Sequence, residues 1–439
     1  MLTRRTFLTA GSGAALAARD SRPNLLFCIA DDWSFGHAGV YGDRVISTPV
    51  FDRVARQGVL FTHAFSCAPS CTPSRAGILT GQAPHRLEEG GNLHGFLPQK
   101  FPVYPDLLEQ AGYRVGFTRK GWGPGRFEAG GLTRNPAGDQ FKTFEEFLQN
   151  TPDGRPFCFW FGSNDPHRPY EAGTGLQAGL NPAGVAVPAY WPDTPEVRSD
   201  VLDYYFEAQR FDREVGELLD LVERSGRTQN TLVVITGDNG RPFPRCKANL
   251  YDGGTRQPLA ARWPAKFGGG RVVDDFVTLA DLAPTFLEAA GLLLTHITTR
   301  GELDRWEQDN IVEALTWLER ARPTDILNEP FVKDLHRRMF GHVWRWAGRF
   351  RQSDKNIGGP WHQVPTSLRN LCDDARLWID LHEESPDQIA VRFHHRLVSI
   401  HSFANGNGRH ARLMTDLLLE NVLHGPRFTW GSGDLSRVG

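Results

Sequence analysis

The sequence predicts a doubly wound α/β sheet over roughly its first two thirds and a mostly α-helical domain after it. Three observations carry this. Three apolar runs of strand length each end in acidic or amide residues, helical periodicity lies between them, and the character of the chain changes near residue 295. Beyond that point strand signals fade, and tryptophan and arginine become frequent. A chain of 439 residues exceeds one ordinary core. Its 49 basic and 51 acidic residues nearly balance, which argues against a nucleic-acid footprint spread over the whole surface.

The first strand is the run 25–30, followed by Asp31 and Asp32. Residues 49–57 read as a helix capped by Thr48, with Pro49 in its first turn and Gly58 after it. The apolar run 59–61 precedes Cys71-Thr72-Pro73-Ser74-Arg75, which opens a helix over 74–81. A thiol at a helix N-terminus is an anion-facing nucleophile, because free N–H groups favour negative charge there. Residues 157–161 form a second strand, followed by Asn164, Asp165, Pro166 and His167. An amphipathic helix over 203–223 places Phe206, Phe211, Val215, Leu218, Leu219 and Val222 near one face. The third strand, 231–236, leads into Asp238 and Asn239. Ligands of such sheets bind at the carboxyl ends of the strands, so these three acidic ends predict one site. In the second domain, helical periodicity spans 302–320, 329–340, 366–382 and 387–400.

The first 22 residues read as an export signal. Arg4, Arg5, Phe7 and Leu8 precede a short apolar stretch and Ala15-Leu16-Ala17, and the pattern resembles a twin-arginine leader. It implies a periplasmic or secreted location, or a cytoplasmic one if the signal is not used. No other stretch reaches 18 apolar residues, so no membrane span is expected after processing. The six cysteines are scattered without zinc spacing. Pairing of Cys67 with Cys71 would consume the candidate nucleophile.

Asp31, Asp32, Asp238 and Asn239 form an all-oxygen donor set that suits calcium or magnesium. Arg75, Lys120 and Lys247 supply fixed cations that stabilise charge developing on an anionic substrate, and His167 can protonate a leaving group. In this order the residues resemble the type I sulfatases. The stretches 238–244 and 250–259 are similar to the sulfamidase branch. The resemblance covers about 23–294 and implies a mixed sheet of the alkaline-phosphatase-like kind. It further implies that a formylglycine-generating enzyme oxidises Cys71. The hydrated aldehyde then attacks sulfur while the metal holds one of its oxygens, and its second hydroxyl expels sulfate. The implied substrate is a sulfated carbohydrate, another sulfate ester or an N-sulfate. Two features depart from the family. Its Gly-Lys-x-His is here Arg119-Lys120-Gly121-Trp122, and its smaller C-terminal subdomain has no counterpart after Leu294.

The string from His401 to Arg412 places glycines before a helix. Backbone N–H groups around Gly406, Asn407 and Gly408 can approach a phosphate, which Arg409 and Arg412 can clamp. His401 is placed to deprotonate an attacking hydroxyl. This string resembles the Fic (Fido) signature, in the group called mobile mystery protein B, over about 295–439. Residues 344–351 and 356–358 are similar to that family's target-binding flap. The resemblance implies ATP with magnesium as cofactors and a protein hydroxyl as target. Asn405 stands where the family has its magnesium-binding acid, and Thr298 with Glu302 faintly resembles its inhibitory helix. The sequence leaves three readings open. These are a sulfatase with a Fic-like appendage, an AMP-transferring or toxin-like Fic protein with a degenerate sulfatase half, and an inactive truncated fusion.

Overall fold

The computed structural model describes residues 22–292, 300–352 and 358–430, with the side chains of 300–304 excepted. The leader through residue 21, Thr298, the Glu302 side chain and flap residues 356 and 357 lie outside the described residues. The chain divides into two compact units, meeting between Ala290 and Gly291 apart from a few short excursions. Among the described residues, no helix is long and apolar enough to cross a membrane.

The first unit is built on a nine-stranded mixed sheet. Its strands are β1 (Asn24–Ala30), β2 (Val59–Phe65), β3 (Arg114–Arg119), β4 (Asp139–Gln140), β5 (Phe157–Gly162), β6 (Thr231–Gly237), β7 (Arg256–Arg262), β8 (Arg271–Val273) and β9 (Val277–Thr278). The order is β4-β3-β5-β1-β6-β7-β2-β8, with β9 beside β2. β1 pairs in parallel with β5 and β6, whereas β7 runs antiparallel to both β6 and β2. Strands β1, β5 and β6 are buried along their whole length. That is why they read as unbroken apolar runs: both faces of a central parallel strand are covered.

Helices α1 (Pro49–Gln57), α2 (Cys71–Thr80), α3 (Pro195–Arg224) and α4 (Leu282–Ala289) belong to this unit. Helix α2 starts three residues earlier than its sequence suggests, so Cys71 is its first residue and Gly81 closes it at φ 70°. Helix α3 starts eight residues before 203. Thr194 accepts from the Val197 amide, and Pro195 stands in the first turn. The Thr48 side chain does not cap α1. It donates to Asp52 and accepts from Gly39, while Asp212 of α3 accepts from the amides of Val50 and Phe51 at 3.0 and 2.7 Å. The cap thus comes from 161 or more positions away, out of reach of a local pattern.

The second unit is helical: α5 (Arg300–Ala321), α6 (Glu329–Phe340), α7 (Val364–Leu381), α8 (Pro386–Ile400) and α9 (Asn407–Leu417). Asn328 caps α6, and Ser385 with Gln388 forms a capping box on α8. Leu335, Leu368, Leu371, Phe393, Leu397, Phe403 and Met414 are buried within it.

Candidate functional site

The site is assembled by register. Ala30 at the end of β1 lies opposite Gly237 of β6, and Ile29 lies opposite Gly162 of β5. Asp31 and Asp32 therefore emerge beside Asp238 and Asn239. The Asp31 amide donates to the Asp165 carbonyl at 2.9 Å, and the Asp32 amide to Asp238 Oδ1 at 3.0 Å. Lys120 follows β3, and its amide bonds the Gly162 carbonyl. A Cβ on Gly162 would lie 1.7 Å from the Lys120 carbonyl, so only glycine admits this crossing. The Ala248 amide bonds the Pro69 carbonyl at 2.7 Å, clipping the loop of Lys247 to the loop that delivers Cys71.

Ligand-type oxygens of Asp31, Asp32 and Asp238 all lie within 4.8 Å of one another. Cys71 Sγ donates to Asp31 Oδ1 at 3.3 Å. Lys120 Nζ reaches Asp31 Oδ2 at 2.5 Å, and Lys247 Nζ reaches Asp32 Oδ1 at 2.7 Å. Asn239 Nδ2 donates to Asp32 Oδ1 at 2.7 Å, while its Oδ1 is buried and accepts no hydrogen bond. A buried acceptor without a donor, beside three carboxylates, fits a hard cation. Burial and the neighbouring Asp31 and Asp238 push the Asp32 carboxyl up to about 6 against the pull of Lys247. Burial raises Asp31 too, but Arg75 and Lys120 outweigh it and hold that carboxyl at about 2.

The Cys71 thiol is not the ready nucleophile that its helix-terminal position suggests. Burial, then Asp238 and Asp31, drive its pKa far above the ordinary thiol value. The helix terminus cannot offset the loss of water and the adjacent carboxylates. All six cysteines are free, so Cys67 does not consume Cys71.

Asp31, Cys71, Lys120, His167 and Lys247 face one pocket of about 590 Å³. Arg75 does not line it. Its side chain is fully buried behind the carboxylates, donating from Nε to Asp238 Oδ2 at 2.8 Å and from Nη1 to the carbonyls of Lys120 and Gly121. Arg75 is therefore a support of the carboxylates, a correction to its reading as a cation of the pocket. His167 Nε2 lies 3.9 Å from Asp32 Oδ2, and Nδ1 lies 2.5 Å from the Arg168 carbonyl. A carbonyl only accepts, so Nδ1 carries the proton in the neutral ring and Nε2 is left open toward the site.

The pocket is also lined by Asp165, which the strand end 164–167 announced, and by His94, Arg168, Glu207 and Arg210, which the sequence did not single out. Arg210 holds Asp165 at 2.5 Å and Glu207 at 2.9 Å. Burial and then Asp165 raise the Glu207 carboxyl to about 7. Glu207 and Arg210, three apart on a helix that packs through its apolar face, were the available signal; His94 sits in a glycine-rich loop and had none.

In the second unit, residues 401–406 form a tight loop that opens into α9 at Asn407. The Asn407 side chain turns inward, accepting from the Phe403 amide at 2.8 Å and donating to its carbonyl at 2.9 Å. It braces the loop and does not face an incoming anion. Gly406 holds φ 76°, and a Cβ there would strike the Phe340 ring. Arg409 is ion-paired with Glu307 Oε2 at 2.7 Å and lies over Phe340, so it is not a free phosphate clamp. Gly408 and Arg412 are exposed, and the His401 carbonyl accepts from Arg351 Nε at 2.6 Å.

Residues 23–127 and 136–292 match the sulfatase family model, and residues 326–419 match the Fic/DOC family model. Human N-sulphoglucosamine sulphohydrolase is 35% identical over 307 residues, covering 61% of this chain and 61% of its own length. N-acetylgalactosamine-6-sulfatase of Canis lupus familiaris is 27% identical over 359 residues, covering 64% and 65%. The chain thus spans less than two thirds of the length of these relatives. The solved structure of yidJ from Bacteroides fragilis shares the fold at a TM-score of 0.52 and 21% identity, over 62% of this chain and 75% of that one.

Proposed function

Because the chain belongs to the sulfatase family, we propose that it hydrolyses a sulfuric ester or N-sulfate at the pocket around position 71. The observation that carries this reading is the convergence of Asp31, Asp32, Asp238, Asn239, Lys120 and Lys247 on the Cys71 thiol from four separate segments. The name of the relative at 35% identity supports a sulfated amino sugar as substrate.

Asp31, Asp32, Asp238 and Asn239 would hold calcium or magnesium, which would lower the charge of the carboxylates and polarise an oxygen at position 71. Oxidised to formylglycine, residue 71 would offer a hydrated aldehyde as the nucleophile that the buried thiol cannot provide. Lys120 and Lys247 face the same pocket and bind the sulfate oxygens, gaining strength as negative charge accumulates on them. His167, with Nδ1 fixed by the Arg168 carbonyl, carries its second proton on Nε2 and gives it to the leaving oxygen or nitrogen. Arg75 holds Asp238 in place from below.

The test is intact-mass analysis of the peptide spanning Cys71, together with sulfate release from N-sulfoglucosamine. We expect aldehyde at position 71 and release that Cys71→Ser abolishes. An unmodified thiol and no release in protein co-produced with a formylglycine-generating enzyme would overturn the reading. The Fic-like unit is proposed as an appendage to this activity, since Asn405 replaces the acid and Arg409 is already engaged.

A further inference from the structure

Lys247 lies on the connection from β6 to β7, in a stretch, 241–251, that is neither helix nor strand. Its neighbours hold backbone conformations that residues with side chains avoid: Arg245 has φ 61° and Ala248 φ 63°. Such a loop keeps its shape only where the surroundings fix it. One clip is the bond from the Ala248 amide to the Pro69 carbonyl. A second is built on Arg241, which does not line the pocket.

Arg241 ties the loop to the body of the first unit through both backbone and side chain. Its amide donates to Ser34 Oγ at 2.7 Å, and Ser34 Oγ donates to the Gly253 carbonyl at 2.8 Å. Its carbonyl accepts from the amides of Phe243 at 2.9 Å and Lys247 at 3.0 Å, so the backbone of the pocket cation hangs from this residue. Its guanidinium lies 4.6 Å from the centre of the Trp191 ring. Nε donates to the buried Cys246 Sγ at 3.4 Å, and Nη1 donates to His37 Nε2.

The His37 contact fixes the direction of a longer chain of hydrogen bonds. A guanidinium only donates, so Nε2 accepts and Nδ1 carries the ring proton. Nδ1 lies 2.9 Å from Tyr205 Oη, and the Tyr205 hydroxyl donates to Asp43 Oδ2 at 2.6 Å. Asp43 Oδ1 accepts from the amides of Val45 and Ile46. Burial and then Arg241 hold the imidazole down at about 4, so it stays an acceptor at neutral pH. His37, Tyr205 and Cys246 are buried, so water does not compete for these bonds.

We propose that Arg241 is the positioning residue for Lys247. Backed by His37, Tyr205 and Asp43, its guanidinium fixes the loop whose carbonyl contact at Arg241 holds the Lys247 backbone, and the ammonium is thereby kept 2.7 Å from Asp32 and facing the pocket. The consequence for the reaction rests on the sulfate-pocket reading, whereas the consequence for Lys247 itself does not.

The test is a short pulse of acetic anhydride on the full chain, with acetylation read peptide by peptide by mass spectrometry. Lys120 is the internal reference, because it enters the same pocket from β3. An ammonium paired with a carboxylate is a poor acyl acceptor, so Arg241→Leu should label Lys247 about fivefold faster and Lys120 by less than about twofold. The same variant should lower kcat/KM for N-sulfoglucosamine about tenfold, and Arg241→Lys, whose ammonium can still reach His37, only about threefold. Tyr205→Phe breaks the chain two steps back while keeping the ring in the core. It should speed Lys247 labelling about twofold, and it decides the matter if Arg241→Leu does not fold. An unchanged Lys247 rate, or Lys247 and Lys120 rising together, overturns the positioning role. So does a selective rise at Lys247 with unaltered kcat/KM. A selective rise in a chain that releases no sulfate even as wild type supports the role and overturns the sulfate reading instead.

Discussion

Arg75 Nε and Asp238 Oδ2 meet at 2.8 Å with both side chains completely shielded from water. The pair lies beneath the site and ties α2 to the end of β6. Removing one partner strands the other charge in the interior. Arg75→Ala should therefore cost about 3–5 kcal/mol, read as a lower urea midpoint of the first unit. Arg75→Lys should recover only part of it, because an ammonium cannot reach Asp238 and the carbonyls of Lys120 and Gly121 in one planar fork. An unchanged midpoint for Arg75→Ala would show the pair to be inessential.

Glu207 gives a pH signature. Its carboxyl titrates near 7 in the folded chain against an ordinary value of 4.5, because it is buried beside Asp165. The folded state thus binds more protons than the unfolded one between these values. Stability contributed by the protonated carboxyl is complete below about 4.5 and is lost as pH rises through about 7. Glu207→Gln should flatten this part of the slope, measured as the difference between wild-type and variant urea midpoints from pH 4.5 to 7.5. Parallel curves would refute it.

Calcium or magnesium should stabilise the first unit through Asp31, Asp32, Asp238 and Asn239. At a hundredfold excess over the dissociation constant the gain is about 2.7 kcal/mol, and chelator should reverse it. Asp31→Asn should reduce the rise in melting temperature on adding metal, relative to its own metal-free baseline. Equal rises in wild type and variant would place the ion elsewhere.

Gly162→Ala should act on Lys120 without touching it chemically. The added methyl would strike the Lys120 carbonyl, so β3 and β5 must separate locally. We expect a loss of about 1–3 kcal/mol and, in the sulfate-release assay, a raised KM from a displaced ammonium. A variant with wild-type stability and KM would mean that the crossing is compliant.

The central strands and their acidic ends were legible because full burial leaves an unbroken apolar run. Strand β7 was not, since Pro258 lies inside it and proline argues against a strand. The oxygen cluster could be anticipated from three strand ends, but the position of Arg75 could not. Its sequence neighbours do not reveal that α2 lies with this side chain pointing under the sheet ends. The Asp212 cap of α1 and the Glu307–Arg409 pair span 161 and 102 positions, so no local pattern carries them. The thiol was misjudged for a related reason: helix position is visible in a sequence, whereas three carboxylates folded around one sulfur are not.

The clustered acids hang directly from a ladder whose two strands are buried along their whole length. The β1–β6 pairing runs without a break from Asn24 to Ala30, and Asp31 and Asp238 follow at once. Local fraying cannot loosen these residues while the ladder holds, so their amides should exchange with deuterium as slowly as those of Phe27 and Val234. The catalytic geometry and the global cooperativity of the sheet are then one property. A substitution that leaves the sheet only transiently unzipped would be felt first as imprecision at position 71.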